Sequence, residues 1–257
     1  MLATERHNLI LELLEKKNIV KNKEFVDLLN VSLETVRRDL DLLDKQGLIN
    51  KVHGGATYVK NIAKTVPFLS RISSNINLKI ELANKALEYI EEGDIIALNS
   101  STTNLELSKK IKKRDMDITV ITNSLSIASE LSNAKKVNLI LAGGIYDSQE
   151  TAFLGQITAD FLSNFSANKC FITCGGISKK KGISDFYIEE VLVEKKMIEI
   201  SEKTIVLADL TKIENNALFH IADFDSISTL IVDSSVNDKI IKDYLECGIE
   251  VVKSSIN

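Results

Sequence analysis

The 257-residue sequence predicts an α/β protein in two parts, a small helical block followed by a larger, mainly parallel α/β block. Three observations carry that prediction. Up to Tyr58, apolar residues recur at helical spacing in three groups: Leu9, Leu13 and Leu14; Phe25, Val26 and Leu29; Val36, Leu40 and Leu43. From Asp94 onward the pattern becomes short β-branched runs, IIAL, ITVIT, NLILAGG, KCFITCGG, TIVLAD, STLIVD and IEVVK. Amphipathic segments lie between them, among them NLELSKKI, LSIASEL, ITADFLSNF and IEEVLVEKKMIEI, and this alternation is that of a parallel sheet covered by helices. The stretch TYVKNIAKTVPFLSRISSN separates the two blocks; it has little periodicity and holds the single proline, Pro67. The expected division is residues 1–58, a linker over 59–75, and residues 76–257.

Composition narrows the function classes. Hydrophobic content of 44% with 26% charged residues is that of an ordinary globular protein, and no apolar run approaches the length of a bilayer span. The first residues, MLATERHNLILELLEKK, carry acids and bases through the apolar positions, unlike a secretory signal, so a cytoplasmic location is expected. Cys170, Cys174 and Cys247 are an odd number, which argues against a disulfide scaffold. No repeat with a period of 20–50 residues is visible, which disfavours a solenoid.

Within the first block, Lys23 to Leu29 reads as a short helix, Asn30 as a turn, and Ser32 as the cap of a second helix with Glu34 near its positive end. This is helix-turn-helix spacing. At 100° per residue, Leu33, Val36, Leu40 and Leu43 share a core-facing arc, whereas Glu34, Thr35, Arg37, Arg38 and Asp41 spread over the other side. Arginine suits bidentate contact with guanine, and the first turns of a recognition helix are what reach the major groove, so Thr35, Arg37 and Arg38 are candidate readers of double-stranded operator DNA. Gly47 is the expected helix stop, and LINKVHGGATYV then reads as a two-stranded wing bent at Gly54 and Gly55, with Lys51 and His53 toward the phosphates. The competing reading is a solvated helix face with ion pairs such as Arg37 with Asp41. Residues 1–60 carry ten Lys and Arg against nine Asp and Glu, so positive potential is local, a lone domain binds weakly, and a homo-oligomer, dimer or tetramer, is expected.

In the second block, Asn99, Ser100, Ser101, Thr102 and Thr103 follow a strand and open a helix, where hydroxyls and free backbone N–H groups converge on a point favourable to an anion. Taken alone, such a cluster is more often a cap than a ligand site. Thr122-Asn123-Ser124, Gly143-Gly144 and Gly175-Gly176 also fall at strand ends, where open α/β sheets bind ligands, and Lys212 adds a cation to that edge.

EFVDLLNVSLETVRRDLDLLDKQGLINKVHGGA, with its TVRRDL and HGGA elements, resembles the N-terminal signature of the DeoR family of bacterial transcriptional regulators. The resemblance continues through PFLSRISSNINLKIELANKAL, NSSTTNLELSKKI, VITNSLSIASEL, LILAGGIYDSQETAFLG, CFITCGGIS and VLADLTKI, and so covers nearly the whole chain. It implies a winged helix-turn-helix joined to a sensor domain shaped like ribose-5-phosphate isomerase. It also implies a repressor of carbohydrate genes controlled by a phosphorylated sugar-like effector held at Asn99 to Thr103, Asn123, Ser124, Gly143, Gly144, Gly175, Gly176 and Lys212. The sequence departs from the family pattern where Asn99 and Ser101 replace the Asp and Gly of Asp-Ser-Gly-Thr-Thr, where Glu194 replaces a lysine, and where Glu214 replaces a glycine.

Three rival functions are weaker. A sugar-phosphate isomerase or deaminase needs a positioned acid/base pair, yet His7 and His53 lie in the first block, His220 is isolated, and Glu189 and Glu190 read as an exposed helix start. A metal site at Cys170 and Cys174 lacks a second ligand pair, so core packing is the better reading of both. A pure interaction module would not discriminate an operator. No catalytic residue, metal or cofactor is expected.

Overall fold

The computed structural model describes residues 3–17, 19–45, 49–52, 54–58 and 66–255, and the chain divides into two compact units, Met1–Val66 and Pro67–Asn257. The first unit contains α1 (Ala3–Lys17), β1 (Ile19–Lys21), α2 (Asn22–Leu29), α3 (Leu33–Lys45), β2 (Ile49–Val52) and β3 (Gly55–Tyr58). Asn30 ends α2 in the left-handed conformation, φ 50° and ψ 47°, donating its N–H to the Val26 carbonyl; asparagine tolerates this geometry. Ser32 then caps α3, its Oγ accepting from the Thr35 N–H at 3.2 Å. Ile10, Leu14, Phe25, Leu29, Val36, Leu40 and Leu43 form the core of this unit. Leu33, expected on the same arc, is 42% exposed at the first position of α3. The wing has a third strand, β1, so the order is β1-β3-β2, all antiparallel.

The second unit runs α4 (Phe68–Arg71), α5 (Ile76–Leu87), β4 (Ile95–Leu98), α6 (Thr102–Arg114), β5 (Ile118–Thr122), α7 (Leu125–Leu131), β6 (Val137–Leu141), β7 (Ile145–Asp147), β8 (Ala152–Leu154), α8 (Gln156–Leu162) and β9 (Ala167–Ile172). It continues with β10 (Gly176–Ser178), β11 (Gly182–Asp185), α9 (Ile188–Glu199), β12 (Ser201–Ala208), β13 (Phe219–Ala222), β14 (Thr229–Val232), α10 (Asp238–Leu245) and β15 (Glu250–Lys253). The seven β-branched runs of the sequence become the seven strands of one parallel sheet, ordered β15-β14-β12-β9-β4-β5-β6. Alternate residues face opposite ways: Ile96, Phe171 and Ile205 enter one core, and Ala97, Cys170 and Val206 the other. Helices therefore cover both faces, the α/β architecture expected.

The expected linker is corrected in part. Residues 59–65 lie outside the described residues, but Pro67 to Asn75 belong to the second unit: Phe68 is fully buried and its N–H donates to the Gln149 carbonyl at 2.8 Å. One buried aromatic and a four-residue helix are too short to show a period.

Candidate functional site

In the first unit, Arg37 and Arg38 are both exposed on α3, and Thr35 is half-buried. The Arg37–Asp41 pair weighed from spacing is not what forms. Arg38 Nε instead lies 3.4 Å from Glu34, a pair 79% and 64% exposed and hence weak, and Asp41 is taken by the Lys51 ammonium. Lys51 also donates its backbone N–H to Asp44 at 2.8 Å, so a phosphate would compete with Asp41 for it. His53 and Gly47 lie outside the described residues. Gly54 has φ +84°, the turn conformation glycine favours. A Cβ on Gly55 would sit 2.2 Å from the Val20 carbonyl oxygen, so both glycines are needed for the shape of the wing.

Sequence reasoning missed Asp39, the acid of the RRDL element. It is 6% exposed and accepts from Arg6 Nε at 2.7 Å and Nη2 at 3.0 Å, with His7 Nε2 at 3.0 Å, which ties the recognition helix to α1. Burial alone would push the Asp39 carboxyl up, but the hydrogen bonds from Arg6 and His7 hold it below the usual carboxylate range.

In the second unit the strand order reverses between β4 and β9: successive strands β4, β5 and β6 extend one way, and β9, β12, β14 and β15 the other. Open α/β sheets bind ligands at the carboxyl ends of the strands flanking such a switch point. Asn99 and Thr173 stand there. Asn99 Nδ2 donates to the Thr173 carbonyl at 3.0 Å and to Glu194 Oε1 at 2.9 Å, while its Oδ1 accepts from the Thr173 N–H at 3.1 Å. Asn104 of α6 donates to the Phe171 carbonyl at 2.9 Å and closes the same seam. Asn99 thus positions the crevice with its side chain already engaged.

Ser101, not Thr103, caps α6, accepting from the Asn104 N–H at 2.9 Å. Thr102 and Thr103 occupy the first turn, where backbone N–H groups have no intrahelical acceptor. Ser100 N–H donates to Asn123 Oδ1 at 3.0 Å and its hydroxyl to the Glu150 carbonyl at 3.2 Å. Asn123 also donates to the Phe153 carbonyl at 2.9 Å and so anchors the loop, whereas Ser124 caps α7. Gly143 and Gly144 follow β6, two strands from β4 and so about 10 Å from the switch point. A Cβ on Gly144 would meet the side chain of Thr158 on α8. Gly175 and Gly176 do follow β9, with Phe186 and the Asn215 backbone where any Cβ would go.

The cations of this edge are Lys212 and two that were not anticipated, Arg71 and Lys79. Arg71 pairs with Glu150, which is only 3% exposed, and Lys79 donates to the Arg71 carbonyl. Burial pushes the Lys79 ammonium down to about 8, opposed by Asp209 and reinforced by Arg71 and Lys212, which places all four groups within electrostatic reach. A signal was present in the sequence: Lys79 interrupts the apolar stripe Leu82, Ala83 and Ala86 of α5. Asp185, Glu190 and Glu194 are also raised by burial; Asp185 adds to the rise of both glutamates and Glu190 to that of Glu194, while Lys212 and Arg71 oppose the rise of Asp185. Glu190 is half-buried and Glu194 buried, which corrects the exposed helix start expected at Glu190. Cys170 and Cys174 pack in the core, burial pushing the Cys170 thiol up to about 11 and the Cys174 thiol also upward. Among the described residues no group of three or more His, Cys, Asp or Glu could hold a metal ion, and no helix is long and apolar enough to cross a membrane.

A helix-turn-helix unit joined to a parallel-sheet unit with a crevice at its switch point defines a transcriptional regulator that carries its own sensor. The chain belongs to the DeoR family: residues 6–61 match the DeoR-like helix-turn-helix domain and residues 74–234 the DeoR C-terminal sensor domain. It is 35% identical over 242 residues to an uncharacterised HTH-type transcriptional regulator of Bacillus subtilis (strain 168), covering 94% of this chain and 93% of that one. It is 32% identical to the HTH-type transcriptional regulator GolR of Listeria innocua, covering 98% of each. The glycerol-3-phosphate regulon repressor of Escherichia coli (strain K12) is 29% identical, over 91% of this chain and 92% of that one. A ribose 5-phosphate isomerase A from Methanocaldococcus jannaschii is similar at 16% identity and TM-score 0.41, over 55% of each chain.

Proposed function

We propose that this regulator is a cytoplasmic repressor of carbohydrate-metabolism genes, that it binds its operator as a homo-oligomer through Thr35, Arg37 and Arg38, and that a phosphorylated sugar-like effector changes its operator affinity. The observation that carries the sensor half is the free first turn of α6 at the switch point, with Arg71, Lys79 and Lys212 along the same edge. Hydroxyls, unpaired N–H groups and a helix N-terminus suit a phosphate, and the cations supply long-range attraction. The name of the glycerol-3-phosphate relative agrees with a small phosphorylated ligand. A regulator role without catalysis is favoured because His220, the one histidine of the second unit, is exposed and engaged with Asp223 at 3.1 Å. Oligomerisation is supported by large apolar side chains left exposed on β7 and α8, Ile145, Tyr146 and Ile157.

The test is a thermal-shift series on the full chain with phosphorylated and unphosphorylated sugars, followed by gel retardation on DNA upstream of the gene. Ligand that binds only the native state raises its melting temperature. A coupling of about 1–3 kcal/mol would change operator affinity roughly 5- to 150-fold. Equal shifts from sugars with and without phosphate would overturn the phosphate assignment.

A further inference from the structure

Beyond the phosphate end, the crevice has a second end of opposite character. Glu190 and Glu194 lie four residues apart on α9, hence on the same helix face, and Asp185 precedes that helix at the end of β11. Glu194 is 4% exposed; one carboxyl oxygen accepts from Asn99, while Oε2 is buried with no hydrogen-bond partner. Together with Asn99, Ser100, Asn123 and Glu190, Glu194 lines one small cavity that continues from the loop before α6. Lys212 opposes the rise of Asp185, and Arg71 that of Asp185 and Glu190. The strongest influences on Glu194 are burial, Asp185, Glu190 and Glu150, all opposed to its charge, against one hydrogen bond from Asn99. A buried carboxyl oxygen without a donor is costly, and a ligand donor at that place removes the cost.

We propose that this end of the crevice receives the ammonium group of the effector, between Glu194 and Glu190, so that the effector class is an amino-sugar phosphate. The inference rests on the reading of Ser100 to Thr103 as the phosphate end. An ammonium brings three donors and a positive charge: it satisfies Oε2, compensates the neighbouring acids and favours the charged form of Glu194. A hydroxyl at the same position brings one donor and no charge.

The experiment is calorimetric titration of the full chain, parent and Glu194→Gln, with glucosamine 6-phosphate, galactosamine 6-phosphate, glucose 6-phosphate, galactose 6-phosphate, glucosamine and inorganic phosphate. One amino-sugar phosphate should bind the parent roughly ten- to a hundredfold more tightly than its hydroxyl counterpart, as expected for a hydrogen bond to a charged group. In Glu194→Gln that ratio should fall to about one, and because the readout is a ratio between two ligands, a general loss of fold cannot imitate it. Equal binding of amine and hydroxyl counterparts by the parent, or an undiminished preference in Glu194→Gln, overturns the amine assignment. So does binding of inorganic phosphate without binding of either amino-sugar phosphate. If glucosamine binds as tightly as glucosamine 6-phosphate, the phosphate reading fails and the amine reading stands; if none of the six binds, both fail.

Discussion

Replacing Asp39 by asparagine should loosen the recognition helix from the rest of its unit. Asparagine keeps the shape of the side chain but loses its charge and turns one acceptor into an NH2 group facing the donors of Arg6 or His7. A hydrogen bond to a charged group contributes about 1.5–3 kcal/mol, and removing one partner of a fully buried pair costs about 3–5 kcal/mol. Arg6 keeps 15% side-chain exposure, so water restores part of the loss, and the expected cost is about 2–3 kcal/mol, confined to α1 and α3. Hydrogen exchange of the full chain, followed peptide by peptide over residues 3–45, reads that local stability. The pH dependence supplies a second check. A carboxylate lowered on folding contributes stability that is fully present above its unfolded pKa, about 4, and is lost as pH falls through the lower folded value. The difference between parent and Asp39→Asn should therefore be present at neutral pH and shrink below about pH 4. Equal exchange at neutral pH, or a difference undiminished at about pH 3, would refute the reasoning.

Arg38→Ala should cost about 1–3 kcal/mol in discrimination between operator variants, whereas Lys51→Ala should weaken all sequences alike and lower the salt slope by about 1, as footprinting at several salt concentrations would show. Ser101→Ala should destabilise the second unit by about 1 kcal/mol in denaturant melts through loss of the α6 cap. Thr103→Ala should leave that stability nearly unchanged and weaken phosphate-bearing ligands roughly tenfold or more in calorimetry. Gly55→Ala should disrupt the β1–β3 pairing, because its Cβ would meet the Val20 carbonyl oxygen at 2.2 Å; loss of exchange protection over residues 19–21 and 55–58 is the readout.

Cap and turn chemistry was legible at Asn30 and Ser32, whose short polar side chains act within three or four residues of themselves. The anion loop was legible as a loop, but which hydroxyl caps the helix was not: Ser101 and Thr103 both carry one, and only the backbone angles at Ser101 aim its oxygen at the Asn104 N–H. Arg71 and Glu150, 79 residues apart, gave no local sign of pairing.

The sequence by itself determined the two-part α/β architecture, because helical spacing and β-branched runs record, residue by residue, which side of each element must leave water. It determined the helix-turn-helix in the same way. Only the tertiary structure decided what meets at the sheet edge. Strand order places Asn99 beside Thr173 and Glu194, and chain return places Arg71 beside Glu150 and Lys79. Periodicity reports burial and not partners. Whether a buried carboxyl or ammonium is neutralised, bonded or left waiting for a ligand depends on residues that are distant in the chain and adjacent only once it has folded.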